Sequence, residues 1–189
     1  MSLLEDKKAL RMETAQKLAG YSMEWIREES RKIEGRVLAS KKYKQAEVIF
    51  CYVSFGKEVQ TQKILADALM SGKKVGVPLC MSKGIMEVRR IDSLDDLHPG
   101  AYGILEPKLD TEVIKKEEIQ YGIIPCVTCD HRGNRMGHGA GYYDRYLENS
   151  KIWKTILCFN EIMAEEVPVS ELDVTMDQVM TQTESIILS

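Results

Sequence analysis

The side chains best suited to chemistry crowd into residues 130–147, DHRGNRMGHGAGYYDRYL. Gly137, Gly139 and Gly141 alternate there with Met136, His138, Ala140 and Tyr142. Glycine lets a backbone approach a ligand closely, and successive N–H groups can then converge on one anion. A helix predicted from Tyr142 onward adds free N–H groups at its start, so the pattern suits phosphate. Arg135 enters the loop and Arg145 lies one turn into the helix; either guanidinium can fork onto phosphate oxygens. Tyr142 and Tyr143 offer flat faces for a ring, and Asp144 offers a hard oxygen for magnesium. The spacing matches neither the dinucleotide fingerprint nor the P-loop. By itself it fits both an anion cradle and a flexible connector.

These side chains need a scaffold. Just ahead of the loop, residues 118–127 (EIQYGIIPCV) are predicted to be a buried strand, with Pro125 marking its end or an edge. Residues 47–54 (EVIFCYVS) read as a strand covered on both faces. Residues 61–70 return to helical spacing through Ile64, Leu65, Ala68 and Leu69, with Gly72 placed to end the helix. Residues 74–80 (KVGVPLC) are the next strand. Strand, helix and strand in that order form a βαβ unit and imply a parallel sheet. Residues 85–91 alternate like a half-exposed strand, residues 92–107 are a loop, and residues 154–160 and 178–188 supply further strands. Upstream, residues 7–18 form a polar helix. A second helix carries Met23, Ile26, Ser30, Ile33 and Val37 as one apolar stripe, with Ser22 as its cap. No repeat or linker interrupts the chain. The expected fold class is α/β: one domain over residues 1–189, with helices on both faces of a mostly parallel sheet.

Composition narrows the function classes. Of 189 residues, 44% are apolar and 29% charged, values that argue for a soluble globular chain and against disorder. With 26 basic against 29 acidic residues the net charge is -3, which argues against wrapping nucleic acid by counterion release. The five cysteines all sit in or beside apolar runs, as free buried thiols do in a reducing, cytoplasmic setting. The first residues are charged from the fifth onward and lack the apolar core of a signal peptide. No apolar run approaches the roughly 20 residues that span a bilayer. A small molecule is therefore the expected partner, with no nucleic acid and no membrane, and the chain is expected to be a monomer or weak homo-oligomer.

The loop segment RMGHGAGYYDRYL resembles the signature R-[LM]-G-x-G-x-G-[YF]-Y-D of the 5-formyltetrahydrofolate cyclo-ligase family, also called 5,10-methenyltetrahydrofolate synthetase. Weaker matches follow in the family's order. Lys7 and Arg11 resemble its K-x-x-x-R helix, YVSFGKEVQT its strand followed by Glu and Thr, IPCVTCDHRGNR its approach to the loop, and residues 174–179 (VTMDQV) its C-terminal Asp segment. The resemblance implies a three-layer α/β/α sandwich with a mixed, mostly parallel sheet, similar to that of sugar-phosphate isomerases and CoA transferases. It also implies conversion of 5-formyltetrahydrofolate and ATP, with Mg²⁺, into 5,10-methenyltetrahydrofolate, ADP and phosphate. In that reaction the γ-phosphoryl group moves to the formyl oxygen, N10 attacks the activated carbon, and phosphate leaves.

The same resemblance implies roles for residues. ATP would be held by Lys7, Arg11, Arg135, Met136, Gly137, His138, Gly139, Ala140, Gly141, Tyr142 and Tyr143, with Arg135 and Tyr143 as the catalytic pair. Folate would meet Val53 as apolar wall, Glu58 at its pterin donor edge, and His138, Gly139, Ala140, Gly141 and Tyr142 of the loop. Asp144 and Asp177 would bind Mg²⁺. Each residue also has a plainer reading. Lys7 and Arg11 share a helix face and read as solvated surface charges. Glu58 fits the first turn of the following helix, Asp144 the first turn of its own, and Asp177 a turn. His138 is a phosphate donor or an exposed loop histidine, and Ala140 offers only its backbone N–H. Two other functions could use such a loop: a phosphate-ester isomerase or CoA-transferase-like enzyme, and a non-catalytic nucleotide- or folate-binding module.

Other features read as structural. Cys126 and Cys129 form C-x-x-C, but no second pair follows at zinc-site spacing. Strand residues three apart point to opposite faces, so no metal or redox role is expected of them. The ten methionines sit at core-like positions, residues 27–36 are mixed in charge like the wet side of a helix, and His98 and His131 read as turn residues.

Overall fold

The computed structural model describes residues 2–82, 84–100 and 103–188. Its helices are α1 (Leu3–Ala19), α2 (Met23–Ala39), α3 (Lys41–Gln45), α4 (Gln62–Met70) and α5 (Tyr142–Leu147). Its strands are β1 (Val48–Cys51), β2 (Lys74–Ser82), β3 (Ile85–Ile91), β4 (Leu97–Pro99), β5 (Leu105–Pro107), β6 (Tyr121–Ile124), β7 (Thr128–Cys129), β8 (Arg135–Met136), β9 (Trp153–Leu157), β10 (Gln178–Met180) and β11 (Ser185–Ile187). Seven of them make one sheet in the order β11-β10-β9-β6-β1-β2-β3. The five central strands pair in parallel, and antiparallel β3 and β11 close the edges.

Register separates the two faces. Ile49 lies beside Val75 and Tyr121, and Phe50 beside Gly76 and Gly122. Successive strand residues point to opposite sides. Phe50 stacks on Tyr143 and meets Tyr146 edge-on, so α5 covers its face. On the other face Tyr121 meets Tyr43 of α3 edge-on, and α2 packs against both α3 and α4. The result is an α/β fold of three layers. The core, including Ile49, Phe50, Ile123, Ile156 and Val179, is fully buried at the sheet centre. Among the described residues no helix is long and apolar enough to cross a membrane.

The β1–α4–β2 unit stands as predicted, with Gly72 in the left-handed region just past α4. Ser22 caps α2 by accepting from Trp25 N. The central strands are shorter than their apolar runs. β6 stops at Ile124, because proline at 125 has no N–H for the ladder. Residues 178–188 fold into two strands joined by the turn in which Thr181 N bonds Glu184 O. The predicted loop at 92–107 holds the β4–β5 hairpin, which packs on β2 and β3. The α1 helix starts at Leu3, earlier than its apolar spacing indicates, because Ser2 and Glu5 form a capping box. Only Thr14 of α1 is fully buried. A helix with so small an apolar face has another use, and α1 lines the site.

Candidate functional site

Ligands of open α/β sheets bind outside the carboxyl ends of the strands. Parallel β1, β6 and β9 end on the same side, and a cavity of about 280 Å³ lies there. Its wall takes Arg11 from α1, Tyr52 and Glu58 from the segment after β1, Cys126 and Cys158 from the ends of β6 and β9, and His138 from the glycine loop.

The segment after β1 is braced by its own polar groups. Thr61 Oγ1 donates to Tyr52 O and accepts from Ser54 N, and Tyr52 OH donates to Val59 O at 2.7 Å. Thr61 is thereby unavailable to cap α4, and the Glu34 carboxylate takes the Lys63 N–H instead. Burial raises the Glu34 pKa above its ordinary value, only partly offset by that N–H. Glu58 closes the turn by accepting from Phe55 N at 2.8 Å, and its other oxygen lies 3.7 Å from His138 Nε2. Lys57 Nζ donates to Leu18 O and Ala19 O, tying the segment to the end of α1.

The glycine loop leaves the β7–β8 hairpin and ends at Gly141, the residue before α5. Gly139 at φ 101° and Gly141 at φ 71° occupy the left-handed region, where a side chain costs about 1–2 kcal/mol. At Gly137 a Cβ would lie 2.8 Å from Arg135 Nη1. Cations grip the loop through its carbonyls: Arg11 Nε donates to Gly137 O and Arg145 Nη1 to Ala140 O, both at 2.8 Å. Among the described residues no protein acceptor takes the N–H groups of Gly137, His138, Gly139, Ala140 or Gly141. The arrangement is a row of free donors flanked by two guanidiniums.

Arg135 lies beneath that row. Its side chain is 4% exposed, donates to Pro125 O and to Asp144 Oδ2 at 2.8 Å, and lies over the Tyr143 ring at 5.5 Å. Asp144 also accepts from Val174 N. Beside it Lys7 pairs with Asp173, which Ser170 holds through its N–H and hydroxyl. Burial alone would raise the Asp173 carboxyl, yet Lys7 and Ser170 outweigh it and hold its pKa below the ordinary value. A lowered folded-state pKa stabilises above the unfolded value of about 3.9 and is lost as pH falls through the folded one. Melting temperature should therefore fall more steeply below about pH 4 in the native chain than in Asp173→Asn. Parallel curves would show that the pair adds nothing.

Several expectations change. Lys7 and Arg11 share a face as predicted, but the face is turned to the loop and the 173 segment and is not a solvated one. Arg135 is engaged on three sides, by Pro125 O, Asp144 and the Tyr143 ring. Met136 is buried in β8, so its side chain is closed to a nucleotide. Val53 and Tyr52 both belong to the core, and of the two only Tyr52 lines the cavity. Asp177 accepts from Lys154 N and pairs with Lys154 Nζ at 2.8 Å, at the amino end of β9 and β10. Asp144 and Asp177 are therefore not brought together: Asp144 accepts from Arg135 and Val174 N beside the loop, while Asp177 lies at the far end of the strands. Tyr143 is set between Phe50 and Arg135. Burial, reinforced by the Glu58 carboxylate, pushes both Tyr52 and Tyr143 well above the ordinary phenol value, so both stay donors. The sequence reading missed Tyr52, Lys57, Asp173 and Cys158. No local pattern marks them, because each acquires its place only through contacts with distant segments.

The model of the 5-formyltetrahydrofolate cyclo-ligase family matches residues 4–182. The chain belongs to that family. It is 28% identical over 187 residues to the 5-formyltetrahydrofolate cyclo-ligase of Mus musculus, covering 92% of each chain. It is 30% identical to the probable 5-formyltetrahydrofolate cyclo-ligase of Caenorhabditis elegans, covering 98% of this chain and 97% of that one. The NMR structure of Aquifex aeolicus 5,10-methenyltetrahydrofolate synthetase superposes with TM-score 0.86 at 26% identity, over 96% of this chain and 92% of the other. That superposition agrees with the α/β sandwich described above, and the cyclo-ligase family and its relatives together support ligase activity in folate chemistry.

Proposed function

We propose that this cyclo-ligase closes 5-formyltetrahydrofolate to 5,10-methenyltetrahydrofolate at the expense of ATP, releasing ADP and phosphate through a phosphorylated formyl group. The row of five acceptor-free loop N–H groups beside the cavity carries the reading. A formyl amide is a poor electrophile, and a phosphoryl group on its oxygen makes that oxygen a leaving group for attack by N10. Such a transfer asks the protein chiefly for alignment and charge stabilisation. The loop N–H groups and the remaining donors of Arg11 and Arg145 suit the triphosphate. Glu58 suits the donor edge of the pterin, with Tyr52 against its ring and His138 at the rim. Tyr143, a phenol throughout the neutral range, can donate but not act as base. A magnesium ion accompanying the nucleotide would rest on phosphate and water oxygens, since the nearby carboxylates are engaged. A cytoplasmic setting fits the five free cysteines.

The absorbance of methenyltetrahydrofolate tests this directly. Product is expected only with ATP and 5-formyltetrahydrofolate together. Turnover of a phosphate ester without ATP, or tight folate binding without product, would sink the proposal. Glu58→Gln should raise the folate KM about tenfold and leave the ATP KM unchanged, the worth of one charged hydrogen bond. An unaltered folate KM would confine Glu58 to closing its own turn with Phe55.

A further inference from the structure

The C-x-x-C pair does not behave as strand residues. β6 ends at Ile124, so Cys126 follows the strand while Cys129 sits in β7, and the chain turns between them. Cys158 joins them from the end of β9. The three sulfurs all lie within 4.8 Å of one another. Among the described residues no other His, Cys, Asp or Glu group of three converges so closely.

We propose that Cys126, Cys129 and Cys158 form a three-thiolate site for a thiophilic divalent cation of the zinc class. Zinc–sulfur bonds of about 2.3 Å set tetrahedral sulfurs about 3.8 Å apart, so the cluster needs only a small contraction. Soft sulfur ligands without carboxylate or imidazole select such ions over magnesium or calcium. Cys126 and Cys158 also line the cavity, which gives the ion a path in and leaves a fourth position open toward it. Charge favours a divalent ion. Three thiolates with M²⁺ leave one negative charge, whereas a monovalent ion leaves two, and burial penalises each. Arg135, already paired with Asp144, bonds Pro125 O next to Cys126, and its buried Nε lacks an acceptor. Loading proceeds as three thiols plus M²⁺ giving M(SR)₃⁻ plus three protons.

The test uses the full chain, reduced, with Cys80→Ser to remove the exposed thiol. Cadmium is titrated in as the probe, read by its ultraviolet sulfur-to-metal charge-transfer band. Saturation at one ion per chain is expected, with displacement by zinc and proton release on loading. Cys158→Ala and Cys126→Ala should each weaken cadmium binding at least a hundredfold. Cys126 is only half-buried, so its variant reads the loss even if Cys158→Ala unfolds. Binding that survives either substitution, an absent thiolate band, or displacement by copper(I) but not by zinc would overturn the assignment.

Discussion

Arg135→Met is expected to destabilise the protein by about 3–5 kcal/mol, the usual cost of removing one partner of a buried ion pair. The guanidinium is almost entirely enclosed, and its loss leaves Asp144 facing Val174 N alone. For a domain of this size that is a fall of roughly 10 °C in Tm. The effect should reach activity as well, because Gly137 rests on Arg135 and the loop then loses its floor. The double variant Arg135→Met with Asp144→Leu should recover most of the stability, since an apolar pair can replace a buried ionic one at little cost. It should not recover turnover. Urea unfolding of the two variants, with steady-state rates, checks both halves. A single variant within about 1 kcal/mol of the native chain would show that the pair is not structural.

Arg11→Ala is the second large effect, and it falls on nucleotide use. Arg11 reaches from α1 to Gly137 O and lies 3.5 Å from where a Cβ on Gly139 would be. Losing a charge-assisted hydrogen bond costs about 1.5–3 kcal/mol, so the ATP KM should rise roughly ten- to hundredfold. Arg11→Lys should restore only part of this. Lysine keeps the charge but cannot hold the carbonyl and a phosphate oxygen through a fixed fork. Melting temperature should fall by only a few degrees, because one bond from α1 to the loop carbonyl is lost. A rise in the folate KM with the ATP KM unchanged would reassign Arg11 to the cavity wall, which it also lines.

Much of the scaffold was legible before any coordinates. The apolar runs at 47–54 and 74–80 and the helical spacing between 61 and 70 specify a βαβ unit and a parallel sheet, because those periods reflect which faces must be buried. The loop was legible as glycine-rich chain ahead of a helix start, and Gly139 and Gly141 do adopt conformations that glycine tolerates. Spacing alone left it open between an anion cradle and a flexible connector. The family signature added a reaction that spacing could not choose.

What tertiary structure decided concerns partners far apart in sequence. Arg135 and Asp144 looked like a catalytic group and a metal ligand, yet folding sets them against each other, and burial makes them neutralise one another. The family resemblance pairs Asp177 with Asp144, whereas Asp177 meets Lys154 at the amino end of its strand. The cavity wall expected of Val53 falls to Tyr52, its neighbour, since an extended chain flips sides at each step. The cysteine trio needed a strand to stop at Pro125 and a third member 29 residues beyond Cys129. Local sequence fixes period and conformation, because those depend on near neighbours. Which charges meet, and which sulfurs converge, depends on how distant segments pack.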